Sequence, residues 1–212
     1  ADLLPVTEER VEWPDDGRGR RALRALLVPA SSLKGALAHR FAFHANRHEK
    51  RWAKSVFTSD PDSEKSGENE PPACPEVEAL FGMVKGREDG RAGCFYIDDT
   101  FIPIDQDRLA MLMHNAIDRF TGGVRDRVLY SEASLYKGKI KVPITLDLVR
   151  LQRTGELKPV RRALKAALED LCQGRLALGS RTTTGNGFFT GSIEGKLGDW
   201  LKGAMNNKIG AA

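Results

Sequence analysis

A lysine stands in the first turn of a predicted helix, beside two serines and a glycine. In the stretch "SSLKG", Ser31 is predicted as the N-cap, and Ser32, Lys34 and Gly35 follow it. Because a helix N-terminus carries free N–H groups and a partial positive charge, a lysine there costs up to about 1 kcal/mol. An anion between Lys34 and those N–H groups would offset the cost, and phosphate is the usual one. A solvated lysine that tolerates the penalty is the alternative.

Glycines also punctuate a loop near the C-terminal end of the sequence. The stretch "GSRTTTGNG" combines Arg181, three threonines, Gly185 and Gly187. Glycine adopts positive φ freely and lets another backbone come close, which suits either a binding loop or a tight hairpin turn. No GK[ST] motif follows, which argues against nucleotide hydrolysis of the Walker type.

A histidine, an aspartate and an arginine fall within six positions of the stretch "HNAIDRFTGG". His114 could act as a general base, but no serine or cysteine lies in a recognisable nucleophile motif. A structural role for His114 is the alternative. Asp118 and Arg119 could simply pair with each other or cap local structure.

Cysteines and histidines offer one further set of candidate ligands. The chain has three cysteines and no CxxC motif, which is typical of reduced thiols in a cytoplasmic protein. A zinc site is conceivable from His44, His48 and Cys74, because the two histidines are one helical turn apart.

Two amphipathic helices are predicted to position these residues. The first runs from Ser31 to about Lys54, with apolar residues at four-residue spacing from Leu33 to Phe41 and with Arg40 on another face. The second opens at a proline, stops at a glycine and carries one apolar stripe. The proline, the stripe and the glycine are Pro159, Val160, Leu164, Ala167, Leu168, Leu171 and Gly174.

Strands are predicted between and after these helices. Residues 94–98 are typical of a buried strand, and residues 140–148 alternate apolar and polar, with Pro143 favouring an edge position or a bulge. Residues 120–138 are interpreted as a loop or hairpin excursion, and residues 108–119 fit either helix or irregular structure. Strand residues flank the glycine-rich loop on both sides.

The element order indicates an α+β fold. Helix, strand, strand, helix, strand becomes β-α-β-β-α-β when one strand precedes it, which is the split ferredoxin-like motif. Residues 1–30 look extended and, toward their end, basic, so the first strand of the motif is expected before Ala1.

The composition of the chain limits its number of domains, its relation to a membrane and its partners. The chain has 212 residues, 41% of them hydrophobic, and a net charge of +4, which suits one domain over residues 1–212. Residues 58–76 are acidic, proline-rich and poor in apolar side chains, so they are predicted to be a flexible insertion. No run of 18 apolar residues occurs, so no membrane span is expected. The mild positive charge favours a nucleic-acid partner only slightly.

Taken together, five stretches resemble the repeat-associated (RAMP) superfamily of CRISPR effector subunits. They are "VPASSLKGAL", "ALFG", "RAGCFYIDD", "HNAIDRFTGGV" and "LALGSRTTTGNG", in that order. The closest resemblance is to the backbone subunit of type III (Csm/Cmr-like) interference complexes, with subtype III-D as a candidate. It implies a modified ferredoxin-like core of the RNA-recognition-motif type. The implied partners are guide RNA, target RNA, other RAMP subunits and the large signature subunit.

The resemblance also implies site residues. In the family the helix opening and the glycine-rich loop contact the guide RNA, and a thumb-like hairpin, here within residues 120–138, pushes between bases of the guide–target duplex. The wedge would lie between Phe120 and Leu129. The implied RNA contacts are Ser31, Ser32, Lys34, Gly35, Arg40, Arg119, Arg125, Arg127, Arg181, Gly185 and Gly187.

Target-RNA cleavage is the activity that the resemblance adds. Active relatives cut with an aspartate upstream of the helix and a divalent metal such as Mg²⁺, and Asp2 is the candidate for both catalysis and metal binding. Asp15 and Asp16 are the reserve candidates. A non-cutting scaffold in the same complex is one alternative. A metal-independent guide-processing endoribonuclease using His114 is another, and a ferredoxin-like protein-interaction domain without RNA is the last.

Overall fold

The computed structural model describes residues 2–22, 24–51, 74–82, 90–104 and 106–203. The helices are α1 (Ala30–His48), α2 (Pro75–Phe81), α3 (Leu148–Arg153), α4 (Leu157–Cys172) and α5 (Gly195–Leu201). The strands are β1 (Thr7–Glu8), β2 (Val11–Glu12), β3 (Arg20–Arg21), β4 (Ala25–Val28), β5 (Phe95–Ile97), β6 (Thr100–Pro103), β7 (Leu109–His114), β8 (Tyr130–Leu135) and β9 (Ile144–Leu146). Short 3-10 turns cover Gln106–Arg108 and Thr182–Thr184.

The fold is α+β, as predicted, and the chain divides into two compact units. The first unit contains residues 1–30 and 98–143, and the second contains residues 31–97 and 144–212. Every strand ladder within the described residues is antiparallel. The predicted single domain over the whole chain stays a prediction.

In the first unit, β4 lies between β1 and β6. Leu26 of β4 stands opposite Thr7 on one side and Ile102 on the other. Ala25 and Leu26 are buried, which explains why this short apolar run forms the middle strand. The expectation that the strand before the first helix lies before Ala1 is wrong, because β4 fills that place. The four arginines just upstream concealed it.

A hairpin dominates the rest of the first unit. Strands β7 and β8 pair over six residues, from Leu109 opposite Leu135 to His114 opposite Tyr130. Half of the ambiguous residues 108–119 are therefore strand, because β7 covers 109–114, and the 3-10 turn precedes β7. The connection between the strands is closed by a bridge between Ile117 and Val124.

The core of the second unit is formed where α1, α2 and α4 bury their apolar faces. The predicted stripe of α1 is confirmed, since Leu33, Leu37 and Phe41 are all buried. The stripe of α4 is also confirmed, with Leu171 only partly buried. Its fully buried members are Val160, Ala163, Leu164, Ala167 and Leu168. Phe81 packs edge-on against Phe41 and Phe95 and joins these helices to β5.

The helix ends differ from the sequence predictions in several places. Helix α1 ends at His48 instead of Lys54 and begins at Ala30, so Ser31 lies inside the helix and not at its N-cap. Helix α4 begins two residues before Pro159. Its predicted stop is confirmed, because Gly174 follows the C-cap with φ of +67°.

Two strand predictions are corrected. The alternating segment 140–148 is strand only over β9. Leu148 is already the first residue of α3. The N-cap of α3 is Asp147, whose side chain accepts a hydrogen bond from the Arg150 N–H at 2.9 Å. The glycine-rich loop is flanked by an isolated bridge between Gln173 and Thr190 instead of strands. Most of the predicted acidic insertion, residues 58–73, lies outside the described residues.

Candidate nucleic-acid interface

The opening of α1 has a cap that comes from elsewhere in the chain. The backbone N–H of Ala30 donates to Oδ1 of Asp99 at 2.6 Å. A carboxylate there suits the positive end of the helix. The cap missed by sequence reasoning is 69 residues away, and the only signal for it was the acidic pair Asp98–Asp99 at the end of the predicted strand 94–98.

The rest of the first turn stays open to a ligand. The N–H groups of Ser31 and Ser32 have no acceptor within the helix, because they precede its first helical hydrogen bond. Both serine side chains are exposed, and Lys34 is half-buried. A Cβ added at Gly35 would meet no described atom within 4 Å, so local packing does not demand glycine there. The contact of these residues with RNA stays a prediction.

The glycine-rich loop folds back on itself. The N–H of Leu178 donates to the carbonyl of Gly187 at 2.9 Å, and the loop turns over the Thr182–Thr184 3-10 turn. Arg181 and Gly185 lie on either side of that turn with φ of +58° and +92°. The left-handed region strains an arginine but not a glycine.

The loop's two glycines serve different purposes. A Cβ on Gly187, whose φ is +80°, would lie 2.0 Å from the carbonyl oxygen of Leu178, so glycine is required for the loop to close. A Cβ on Gly185 would meet nothing within 4 Å among the described atoms. Gly185 therefore satisfies the backbone angle alone, and its open surface leaves room for a ligand.

One buried carboxylate joins α1, α4 and the start of this loop. Oδ2 of Asp170 accepts from Nε of Arg40 at 2.5 Å and lies 2.7 Å from Nε2 of His44. Its Oδ1 accepts from Nε of Arg175 at 2.7 Å. Burial would raise the pKa of Asp170, but the bonds from His44, Arg40 and Arg175 outweigh it and lower the pKa from 3.8 to about 2. Nε of Arg40 is thus engaged by protein, and its predicted RNA contact stays a prediction.

The hairpin between β7 and β8 presents an aromatic tip. Phe120 is 98% exposed, so almost the whole ring is open to solvent. The turn is ordered by Oδ1 of Asp118, which accepts from the N–H groups of Phe120 and Thr121 at 2.9 Å each and whose pKa these bonds lower. The three predicted phosphate contacts on this hairpin are all exposed. They are Arg119, Arg125 and Arg127.

The candidate catalytic aspartates do not form one cluster. Oδ2 of Asp2 accepts from the N–H and Oγ of Ser131 at 2.7 and 2.9 Å, and these bonds lower the pKa of Asp2. Asp15 and Asp16 lie in the turn between β2 and β3, where Asp16 accepts from the Arg20 guanidinium at 2.6 Å.

Asp2 suits a metal that the substrate helps to hold. Within the described residues, no group of three or more histidine, cysteine or acidic side chains is arranged to hold a metal ion. Asp2 is an exposed, ionised carboxylate, and Mg²⁺ is commonly bound by one or two carboxylates together with water and substrate phosphates. A single aspartate therefore fits such a site.

The zinc hypothesis is wrong for the described residues. His44 is bonded to Asp170, while Sγ of Cys74 donates to Glu76 at 2.8 Å. Burial, aided by the bond to Glu76, raises the pKa of Cys74 to about 11, which disfavours the thiolate that zinc requires.

His114 faces an acid inside the first unit. Its Nε2 lies 3.2 Å from Oε2 of Glu132, and its ring stacks on Tyr130 with centroids 5.1 Å apart. Glu132 is buried, and its Oε1 accepts from the Ser134 hydroxyl at 3.1 Å. The pair brings an imidazole and a carboxylate within 3.2 Å of each other, which are the two groups that general acid–base chemistry uses.

A comparison with known protein families identifies the family of the chain. A sequence model of the RAMP superfamily matches residues 18–190, which include the helix opening, the hairpin tip and the glycine-rich loop. The chain belongs to the RAMP superfamily. No curated protein matches the chain. None of the helices in the described parts of this RAMP protein is long and apolar enough to cross a membrane.

Membership identifies the general class of function. This RAMP protein belongs with CRISPR-associated RNA-binding subunits, which assemble with RNA and with other subunits.

The two loop glycines yield a paired prediction. Gly187→Ala should destabilise the protein by about 2–4 kcal/mol, because the methyl group meets the Leu178 carbonyl and φ is positive. Gly185→Ala should cost only about 1 kcal/mol, from the backbone angle alone. Urea unfolding of both variants measures the difference. Equal losses would contradict the assigned contact.

Asp170 yields a prediction about pH. Because its pKa is lowered in the folded protein, its stabilisation is fully present above pH 4 and is lost as the pH falls toward 2. That loss should amount to about 2 kcal/mol. Asp170→Asn should destabilise the protein at pH 7 and flatten this part of the stability profile in urea titrations. The exposed Asp199→Asn is the control, and a profile unchanged by Asp170→Asn would refute the assignment.

Proposed function

We propose that the chain is a guide-RNA-binding backbone subunit of a type III CRISPR interference complex, acting in the cytoplasm. The observation that carries the proposal is the fully exposed Phe120 at an ordered hairpin tip flanked by arginines, in a chain of this superfamily. An aromatic ring held outside any core is suited to stacking on unpaired or splayed bases, which is how proteins commonly recognise RNA.

The second unit supplies the proposed guide contacts. The free N–H groups at the start of α1, with Lys34, form an anion site that does not read sequence, as a subunit that accepts many guides requires. The open surfaces at Gly35 and Gly185 allow a sugar–phosphate chain to approach the backbone closely. Asp170 stabilises α1 against the base of the glycine-rich loop.

The first unit supplies the proposed wedge. Phe120 would enter the stack of the guide–target duplex, and Arg119, Arg125 and Arg127 would bind phosphates on either side. Unstacking one step costs a few kcal/mol, which the arginine–phosphate contacts and the stacking on Phe120 offset. Repeated along a row of subunits, such wedges would divide the duplex into regular segments.

Target-RNA cleavage is proposed at Asp2. When bound, Mg²⁺ would neutralise charge that develops on the phosphate. The bonds from Ser131 fix the Asp2 carboxylate and keep it ionised at neutral pH. Asp15 and Asp16 remain the reserve candidates. A non-cutting scaffold would retain the RNA contacts and lack this step.

A second candidate function rests on the His114–Glu132 pair. Metal-independent RNA cleavage needs a group that removes the proton of a 2′-hydroxyl, and an imidazole oriented by a carboxylate can do so. The 3.2 Å separation and the stacking on Tyr130 favour this guide-processing alternative over an incidental surface histidine.

The proposed guide contact of Lys34 can be tested against a matched control lysine. Lys34→Ala should weaken guide-RNA binding and lower the slope of log affinity against log salt by about 0.7, as for one phosphate contact on a single strand. Lys158 also lies in the first turn of a helix, α4, but outside the proposed contacts, so Lys158→Ala should leave the slope unchanged. Fluorescence anisotropy at several salt concentrations measures both. Equal slopes in the two variants would exclude a phosphate at Lys34.

Cleavage of a guide-complementary RNA by the assembled complex separates the candidate activities. With Mg²⁺, Asp2→Asn should slow one set of cuts by about 100-fold or more, and EDTA should abolish the same cuts. The exposed Asp107→Asn serves as the control. Cuts that survive EDTA but are lost in His114→Gln would favour the second candidate. Bound RNA that the unaltered complex never cuts would identify a scaffold.

A further inference from the structure

A row of lysines follows the hairpin in the first unit. Lys137, Lys139 and Lys141 occupy alternate positions, and all three are exposed. No acidic residue occurs between Tyr136 and Leu146. Within the described parts of the chain, none of the three lysines has an ion pair. The row is therefore a local concentration of positive charge.

The backbone beneath the lysines is held by packing. Ile140 and Val142 alternate with the lysines and are half-buried, so burial alternates along this segment and the lysines are at its exposed positions. Gly138 packs closely: a Cβ there would lie 3.2 Å from Cδ2 of Leu135 and 3.7 Å from Cδ1 of Ile102. The row is thus fixed to β8 and β6 and is not a loose tail.

Lys137 occupies a costly conformation. Its φ is +55°, in the left-handed region, which costs a non-glycine residue about 1 kcal/mol or more. The tightly packed Gly138 follows it directly. A glycine at position 137 would adopt this angle without strain, yet the position carries a cation. Strain of this kind is typical of positions kept for binding.

We propose that Lys137, Lys139 and Lys141, the lysine platform, bind the phosphodiester backbone of an RNA strand. Two residues of chain span at most about 7 Å, so the attachment points of successive lysines are no farther apart than that. A strand of nucleic acid in a duplex presents one phosphate about every 3.4 Å along the axis. Each flexible lysine can therefore reach a separate phosphate. No base-reading group is needed, because lysine binds phosphate as a point charge.

An RNA backbone fits the platform better than an acidic protein does. Lysine is depleted from the centres of protein–protein interfaces, which are built on aromatic and apolar anchors. The inward positions of the segment, by contrast, hold its apolar side chains, and its outer face carries lysines. The inference rests on the proposed function for its ligand. It adds a phosphate contact separate from the helix opening, the glycine-rich loop and the wedge.

The test compares two triple variants of the full chain with the same change of charge. The platform variant is Lys137→Gln, Lys139→Gln and Lys141→Gln, and the control variant is Lys158→Gln, Lys196→Gln and Lys202→Gln, whose lysines are exposed in the second unit. The probe is a fluorescent single-stranded RNA, titrated between 50 and 200 mM salt. Circular dichroism confirms that both variants are folded.

The platform variant should lose about 2 from the salt slope, as for three phosphate contacts on a single strand, and the control should lose little. Across that fourfold salt range, a slope change of 2 alters the affinity ratio by about 16-fold. Equal slopes in the two variants would overturn the platform while leaving the proposed function intact. An unaltered protein that binds no RNA would overturn both.

Lysine acetylation with and without RNA locates the contact without any substitution. RNA should protect the three platform lysines from the reagent and leave Lys196 and Lys202 reactive. Equal reactivity with and without RNA would overturn the platform. Polyglutamate that displaces RNA from the platform at equal charge concentration would assign it to an acidic protein partner and overturn the RNA assignment.

Discussion

The buried carboxylate of Asp170 is the interaction on which the second unit depends. A charge buried this deeply is stable only when it is paired and hydrogen-bonded, and Asp170 is held by Arg40, His44 and Arg175. Because Arg40 and His44 belong to α1 and Arg175 lies four residues before the glycine-rich loop, the pairing ties α1 to the end of α4 and to the segment that leads into the loop. The apolar faces bring the helices together, and the charge cluster selects one arrangement of them.

The exposed Phe120 and the lysine platform contrast with that cluster, because within the described residues the fold neither buries the ring nor pairs the charges. Phe120 is exposed at the hairpin tip although burying its ring would stabilise the protein by about 2 kcal/mol. The platform lysines stand together without an acid, and Lys137 keeps a strained backbone. Each feature costs free energy in the isolated chain. A bound RNA would offset these costs with stacking and phosphate contacts, which the scaffold alone does not provide.

Helix stripes were the part of the fold that sequence could predict, because 3.6-residue periodicity is local. The cap at Asp99 was missed because its partner Ala30 is 69 residues away, and β4 was missed because four apolar residues cannot be distinguished from the start of a helix. The burial of Asp170 could have been predicted from the sequence, because it continues the buried series of Ala163 and Ala167 along α4. A charge on a buried stripe requires partners, but only the structure identifies them.

The net charge of the chain does not show where its positive charge is concentrated, and that local concentration is what would bind RNA. The chain carries 33 basic and 29 acidic side chains, a balance that by itself favours a nucleic-acid partner only slightly. The acids are used locally: Asp170 binds two arginines, Glu76 binds Arg51, and Asp99 caps α1. Cations left outside these pairs, above all the platform lysines, then create a field that is screened only beyond about 8 Å at physiological salt. Affinity for a polyanion depends on such local excess, so a nearly neutral subunit can still bind RNA on one face and leave its other faces to protein neighbours.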